Sequence, residues 1–203
     1  MSLIQYEISS KSYLMRARRL LDVNTIESLH YAAFELRCGI EARLHEYLEA
    51  HDDVPNGCKR EWNIGKLGKS IEKYLHKESR VVEVTFTPID NPSGQFVLRY
   101  TPVTPELLKM GQQLGELLHA RREVILDHVL ELSQLRRTLE NIFSALKIAT
   151  SGDLIGPPRL SKSDRTTANL TTDASEGSIG SRIRGMMKPG VIGRMEVRHL
   201  DKL

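Results

Sequence analysis

Cysteine is scarce in this chain: Cys38 and Cys58 are the only two among 203 residues. They form no CxxC pair and no metal-ligand spacing, which argues against a disulfide framework and fits a reducing cytosol. Long apolar runs are also missing. The first fifteen residues, MSLIQYEISSKSYLM, lack the apolar stretch of a signal peptide, and nothing approaches the ~18 consecutive apolar residues of a membrane span. A cytoplasmic protein with no membrane partner is expected. An excess of one charge is nearly absent as well. Residues 1–150 hold 20 basic and 20 acidic side chains, so the net +3 lies wholly in the last 53 residues. A neutral first portion argues against a large dedicated nucleic-acid face, though not against a local positive cleft. No Gly-rich phosphate loop, HExxH, G-x-S-x-G or metal-spaced carboxylate pair is present, and no internal repeat. No cofactor and no metal are expected.

What remains, 40% hydrophobic and 27% charged residues, is ordinary for a soluble globular protein. A first helix is predicted over about Ser12–Leu21, with Tyr13, Leu14, Ala17, Leu20 and Leu21 on one face. Asn24 followed by Glu27 has the pattern of a capping box. The helix it would start runs from Ile26 to about His51. Ile26, Leu29, Ala33, Leu36, Ile40, Leu44 and Tyr47 fill an arc of roughly 80° there, a core face. Pro55 and Asn56-Gly57 mark a turn. A third helix follows near Ile64–His76, where Gly65 and Gly68 suit close approach of another backbone.

The period then changes from 3.6 to 2. Val82, Val84 and Phe86, then Phe96, Leu98 and Tyr100, alternate with mostly polar neighbours around the turn-rich PIDNPSG stretch. A β-hairpin inserted at about 80–101 is expected, lying on the helices or on a partner chain. Thr104-Pro105-Glu106 is a helix start. From there to Lys147 an apolar seam repeats every 3.5 residues, through Leu107, Gly111, Leu114, Leu118, Ile125, Leu132, Leu135, Leu139, Ile142 and Leu146. A single helix of this length, about 43 residues and ~65 Å, would have to bend or pack against a second copy. The expected fold class is mainly α: a helical bundle with one long coiled-coil-like helix, the inserted hairpin and a flexible C-terminal tail. Its organisation is a helical domain over 1–150 and a weakly basic tail over 151–203. Within the tail, 179–197 mixes Arg and Lys with Ile, Met and Val. That segment either stays solvated or orders on a partner protein, on RNA or on the same chain.

Two polar constellations carry the candidate chemistry. Arg121 and His128 interrupt the seam, within ~20° of one another on a helix; Arg122 stands beside Arg121. An arginine holds its charge on a phosphate, and a histidine moves protons near neutral pH. Together they suit RNA cleavage by a 2′-hydroxyl attacking its neighbouring phosphate. The competing reading is that polar seam residues merely fix helix register. The second constellation is a supporting polar row beside the apolar arc: His30, Arg37, Glu41 and His45. Glu41 is four residues from both Arg37 and His45, so i,i+4 pairing is the simpler account.

The stretches YAAFELRCGIEARLHEYL (31–48) and WNIGKLGKSIEKYL (62–75), followed by a helix carrying R-x6-H or R-x5-H, resemble the HEPN superfamily over about residues 26–148. The resemblance implies a small helical bundle, a homodimer, and a role in toxin–antitoxin or phage-defence systems. It also implies RNA binding, with metal-independent endoribonuclease activity through an R-x4-6-H motif. By it, His128 transfers the proton and Arg121 or Arg122 stabilises the phosphorane-like transition state. The alternative class is a non-enzymatic oligomeric helical protein whose seam and tail engage a protein partner.

Overall fold

A computed structural model of the chain describes residues 7–51, 54–76, 80–88, 95–118, 128–153, 159–160, 168–169 and 192–200. Among them the architecture is mainly helical, with six α-helices and a small three-stranded antiparallel sheet. No described helix is long and apolar enough to cross a membrane. The chain divides into two compact units.

The first unit comprises Met1–Leu44, Trp62–Gly68 and Val103–Thr150. Helix α1 spans Ser10–Val23; Ser9 caps it, its hydroxyl accepting from the Ser12 amide at 3.2 Å. Asn24 ends the helix in the left-handed region at φ 58°, which an asparagine adopts more readily than most residues. It therefore terminates α1 and does not start α2, the role its spacing to Glu27 had suggested. The box is one residue later. The Ser28 amide donates to the Thr25 hydroxyl at 3.2 Å, and the Thr25 amide donates to the Ser28 hydroxyl at 2.9 Å.

Helix α2 spans Ile26–Glu49. Leu29, Ala33, Leu36, Ile40 and Leu44 are buried along it, joined by Ala32, while Ile26 is 37% exposed. Two neighbours meet α2 at Gly39, where an added Cβ would lie 2.8 Å from Leu146 and 3.3 Å from Tyr13. Arg16 on α1 donates to the Glu35 carboxylate at 2.8 Å. A four-residue turn, α3, spans Asn56–Lys59, and α4 spans Ile64–Ile71, continuing as a π turn over Glu72–His76. Helix α5 runs over Pro105–Leu117, with Thr104 accepting from the Leu107 amide at 3.2 Å, and α6 over His128–Ala149. An added Cβ at Gly111 of α5 would stand 3.2 Å from both Ile40 and Ile64, so α5 lies in the angle between α2 and α4.

The single long helix expected over 106–147 is not what these two elements make. Leu114, Leu117, Leu135 and Ile142 line one hollow of about 290 Å³. On a continuous helix Leu114 and Ile142 would be ~42 Å apart. Helices α5 and α6 instead lie side by side, and Leu107, Leu114, Leu139, Ile142 and Leu146 of the seam are buried within one chain. An intramolecular helix pair satisfies a 3.5-residue seam as well as a second copy does. Helix α1 is tied to α6 by Arg18, whose guanidinium donates to both oxygens of Glu140 at 2.8 and 3.0 Å. Those bonds, and then the bonds to Asp22, raise the pKa of Arg18.

The second unit comprises His45–Glu61, Lys69–Pro102 and Ser151–Leu203. Strand β1 (Val81–Pro88) pairs antiparallel with β2 (Phe96–Tyr100), setting Val82 opposite Tyr100 and Val84 opposite Leu98. Two residues of the sequence Arg159–Leu160 (β3) pair with Ala168–Asn169 (β4). The other edge of β1 takes β5, Ile192–Leu200, antiparallel from Val81↔Leu200 to Thr87↔Arg194, with the register shifting at Pro88. Proline cannot donate to a ladder. The sheet order is β2-β1-β5. Residues 192–197, in the segment for which ordering on a partner, on RNA or on the same chain had been open, thus lie on the same chain. Alternation puts Val82, Val84, Phe86, Leu98 and Tyr100 on one buried face. Against it lies Tyr47 from the last turns of α2, with its ring 5.9 Å from that of Tyr100.

Candidate functional site

Arg121 and Arg122 lie outside the described residues. His128 is the first residue of α6, and its backbone alone is described. The polar row of α2 is described in full. The Nδ1–H of His30 donates to the Ile26 carbonyl at 2.8 Å, a back-bond of one helical turn that fixes the ring against its own helix. Arg37 reaches across to α5. Its guanidinium lies against Gly115, where Nη1 occupies the space a Cβ would take. A residue without a side chain leaves room for a cation this close to a helix backbone. Gly115 is two residues before the end of α5 at Leu117, so Arg37 meets the last turn of α5. Glu41 is half-buried on α2. His45, also half-buried, is the first residue of the second unit.

The structure therefore brings one member of the α2 row, Arg37, to the helix that precedes the R-x5-H or R-x6-H motif. It also reveals two aromatic residues missing from the candidate set. Tyr31 is 65% and Phe34 48% exposed on α2, three residues apart and so on adjoining turns of one face. Their signal was present in the helical wheel, since both fall outside the apolar arc, but an aromatic outside an arc is not distinguishable from one packed by another element until the elements are placed.

Cys38 is also on this helix, half-buried. Desolvation by burial, and then the charges of Glu41 and Glu35, push its thiol up to about 11. At neutral pH it is protonated, and a protonated thiol is a poor nucleophile. Among the described residues no group of three or more His, Cys, Asp or Glu side chains is placed to hold a metal ion. Arg43 is buried at 2% exposure, inside the helical unit and away from solvent.

Chemically the arrangement offers a cation, Arg37, against α5, and two exposed aromatic rings, Tyr31 and Phe34, on the same helix α2. A cation suits a phosphate and an aromatic face suits a base. Comparison of the chain with protein-family models, with curated proteins and with solved structures finds no match.

Proposed function

We propose that this chain is a HEPN-like RNA-binding protein of the toxin–antitoxin or phage-defence type, acting in the cytoplasm as a homodimer. In its enzymatic form the reaction is metal-independent cleavage of RNA. The 2′-hydroxyl attacks the adjacent phosphorus, the P–O5′ bond breaks, and a 2′,3′-cyclic phosphate and a 5′-hydroxyl result. His128 transfers the proton, and Arg121 or Arg122 stabilises the charge that develops on the phosphorane oxygens.

The observation that carries this reading is the contact of Arg37 with Gly115. It sets one member of the α2 row against α5, the helix that comes before the R-x5-H or R-x6-H stretch in the sequence. The mainly helical fold is in keeping with the resemblance over residues 26–148. The test is direct. Purified protein in EDTA is expected to cut single-stranded RNA, and His128→Ala to abolish cutting at an unchanged melting temperature. Cutting retained in that variant overturns the assignment of His128.

A second reading, a non-enzymatic assembly protein, draws on Tyr31 and Phe34, which are large apolar side chains left in solvent. Replacing Arg121 and His128 together by Leu separates the two. If they only set helix register, stability rises or oligomer size changes and RNA binding is unaffected.

A further inference from the structure

Asn56 and Gly57 are the only Asn-Gly pair in the chain, and both are exposed within the second unit. They open α3, a turn of four residues whose N-cap, Pro55, makes no side-chain capping bond. Two hydrogen bonds close the turn. The Cys58 amide donates to the Pro55 carbonyl at 2.9 Å, and the Lys59 amide donates to the same oxygen at 3.4 Å. The first amides of a helix have no acceptor inside it, and among the described residues nothing accepts from the Gly57 amide. Nor is that glycine covered: an added Cβ would meet no atom within 4 Å.

We propose that Asn56 and Gly57 form a site of spontaneous deamidation, independent of RNA binding and of every residue of the candidate site. The Gly57 nitrogen gives up its proton to a solvent base and attacks the Asn56 side-chain carbonyl carbon. The N–Cγ bond forms, the Cγ–Nδ2 bond breaks, and the amide leaves as ammonia with a proton from water. The succinimide ring so formed takes up one water. Opening at Cγ gives an α-linked aspartate, and opening at the main-chain carbonyl gives a β-linked isoaspartate. Ring closure requires the main chain at Asn56 to leave helical geometry. A single turn resists that little, because so few bonds reward its formation, and glycine adds the least steric resistance of any residue.

Asn24, Asn63 and Asn141 each lack a requirement. The amide after Asn24 belongs to Thr25 and is already donated to the Ser28 hydroxyl at 2.9 Å. The side-chain oxygen of Asn63 accepts from the Lys66 amide at 3.1 Å, and its successor Ile64 is buried. Asn141 lies within α6 and is followed by the buried Ile142. At Asn56 the product carries a new carboxylate three and four residues before Lys59 and Arg60. In the β-linked form the main chain gains one carbon between Pro55 and Cys58. The two bonds that close α3 then no longer span rings of helical size.

Trypsin isolates the site. The peptide 44–59, LHEYLEAHDDVPNGCK, holds no other asparagine and no glutamine, so a mass gain equal to OH minus NH2 in it is assigned to Asn56. The folded full-length protein is held at constant temperature across a range of pH, beside the same protein in urea, and digested at intervals. Circular dichroism is recorded at each interval to check that the fold persists. Two products of equal mass are expected, aspartate and isoaspartate, told apart by electron-transfer fragmentation. Between about pH 7 and about pH 9 the rate should rise about tenfold per unit, because the amide nitrogen titrates far above this range. The folded chain should react within about a hundredfold of the unfolded one, since two hydrogen bonds at most must open. Peptides holding Asn24, Asn63 and Asn141 should stay unchanged in the folded protein over the same time. Gly57→Ala has room for its methyl. It should slow the gain about tenfold or more by crowding the attacking nitrogen. A folded-state rate further below that in urea overturns the proposal, because α3 would then protect Asn56. An equally fast gain in Gly57→Ala also overturns it, in favour of direct hydrolysis of the side-chain amide.

Discussion

The hydroxyl of Tyr47 donates to the carbonyl oxygen of Thr101 at 2.5 Å, and both residues are buried. The bond ties the end of α2 to the residue that follows β2, inside the second unit. Tyr47→Phe keeps the ring against Tyr100 and removes only the donor. The expected cost is about 1–2 kcal/mol, since a buried carbonyl loses a strong partner. In urea the midpoint should fall with the slope unchanged; an unmoved midpoint would show that the bond has no net value.

At the outer edge of β2, Gly152 is pressed against the strand. An added Cβ would lie 2.6 Å from the Arg99 carbonyl oxygen and from the Thr101 hydroxyl. The next residue closes a two-way clasp on Arg99. The Asp153 amide donates to the Arg99 carbonyl at 2.7 Å, and the Arg99 amide donates to the Asp153 carboxylate at 2.9 Å. Gly152→Ala should push the clasp off the strand at a cost on the order of 1–3 kcal/mol. Hydrogen exchange of the Arg99 amide is the measurement, and protection equal to the parent would refute the prediction.

Gly115→Ala offers a way to move Arg37 without altering any charge. The added methyl takes the space of the guanidinium, which sits at the end of a flexible side chain and can swing away. An alanine inside a helix is better than glycine by about 1 kcal/mol, so thermal stability should hold or rise. If the α2 row belongs to an RNA cleft, affinity for RNA should nonetheless drop several-fold. A more stable variant with parental affinity would detach Arg37 from the site.

Cys38 gives stability a dependence on alkaline pH. Burial, the largest influence, lifts its thiol from 9.0 to about 11. Below about pH 9 the thiol is protonated in the folded and the unfolded chain alike. Between pH 9 and 11 the unfolded chain gives up the proton first, so it holds fewer protons than the folded one and stability falls as pH rises. Melting temperatures recorded from pH 8 to 11 should decline less steeply in Cys38→Ala than in the parent. In the parent, reaction of Cys38 with a disulfide reagent at pH 8 should be slower than that of an ordinary exposed thiol.

Much of the helical part was legible because its signals are local. The arc of α2 from Leu29 to Leu44 predicted its own burial, and the Thr104-Pro105 start of α5 was read at its residue. Asn24 shows where local signals run out. Asn suits both ends of a helix, and its left-handed φ, which settles the matter, is not written in the spacing to Glu27. The seam of α5 and α6 failed differently. A 3.5-residue repeat specifies that a face is buried without saying whether the neighbour is the next helix or another chain. In β5, the alternation of Arg194, Glu196 and Arg198 with Met195, Val197 and His199 is visible in the sequence. A strand is assigned with confidence only when an open edge is known to receive it, and that edge belongs to β1, far away along the chain. The candidate site was half legible: charge and spacing picked out Arg37, whereas the room made for it by Gly115 is a property of two packed helices.

The pairing of β1 with β5 sets an order of events during synthesis. Val82 faces Tyr100 on one side and His199 on the other. The first partner leaves the ribosome almost at once, and the second only after more than a hundred further residues. A strand whose second neighbour is so distant folds late, because long-range closure must precede the hydrogen bonds that reward it. Throughout that interval β1 has one unpaired row of amides and carbonyls, the kind of edge that recruits strands from other chains. A variant that slows the arrival of Ile192–Leu200 at that edge is expected to aggregate more readily than the parent.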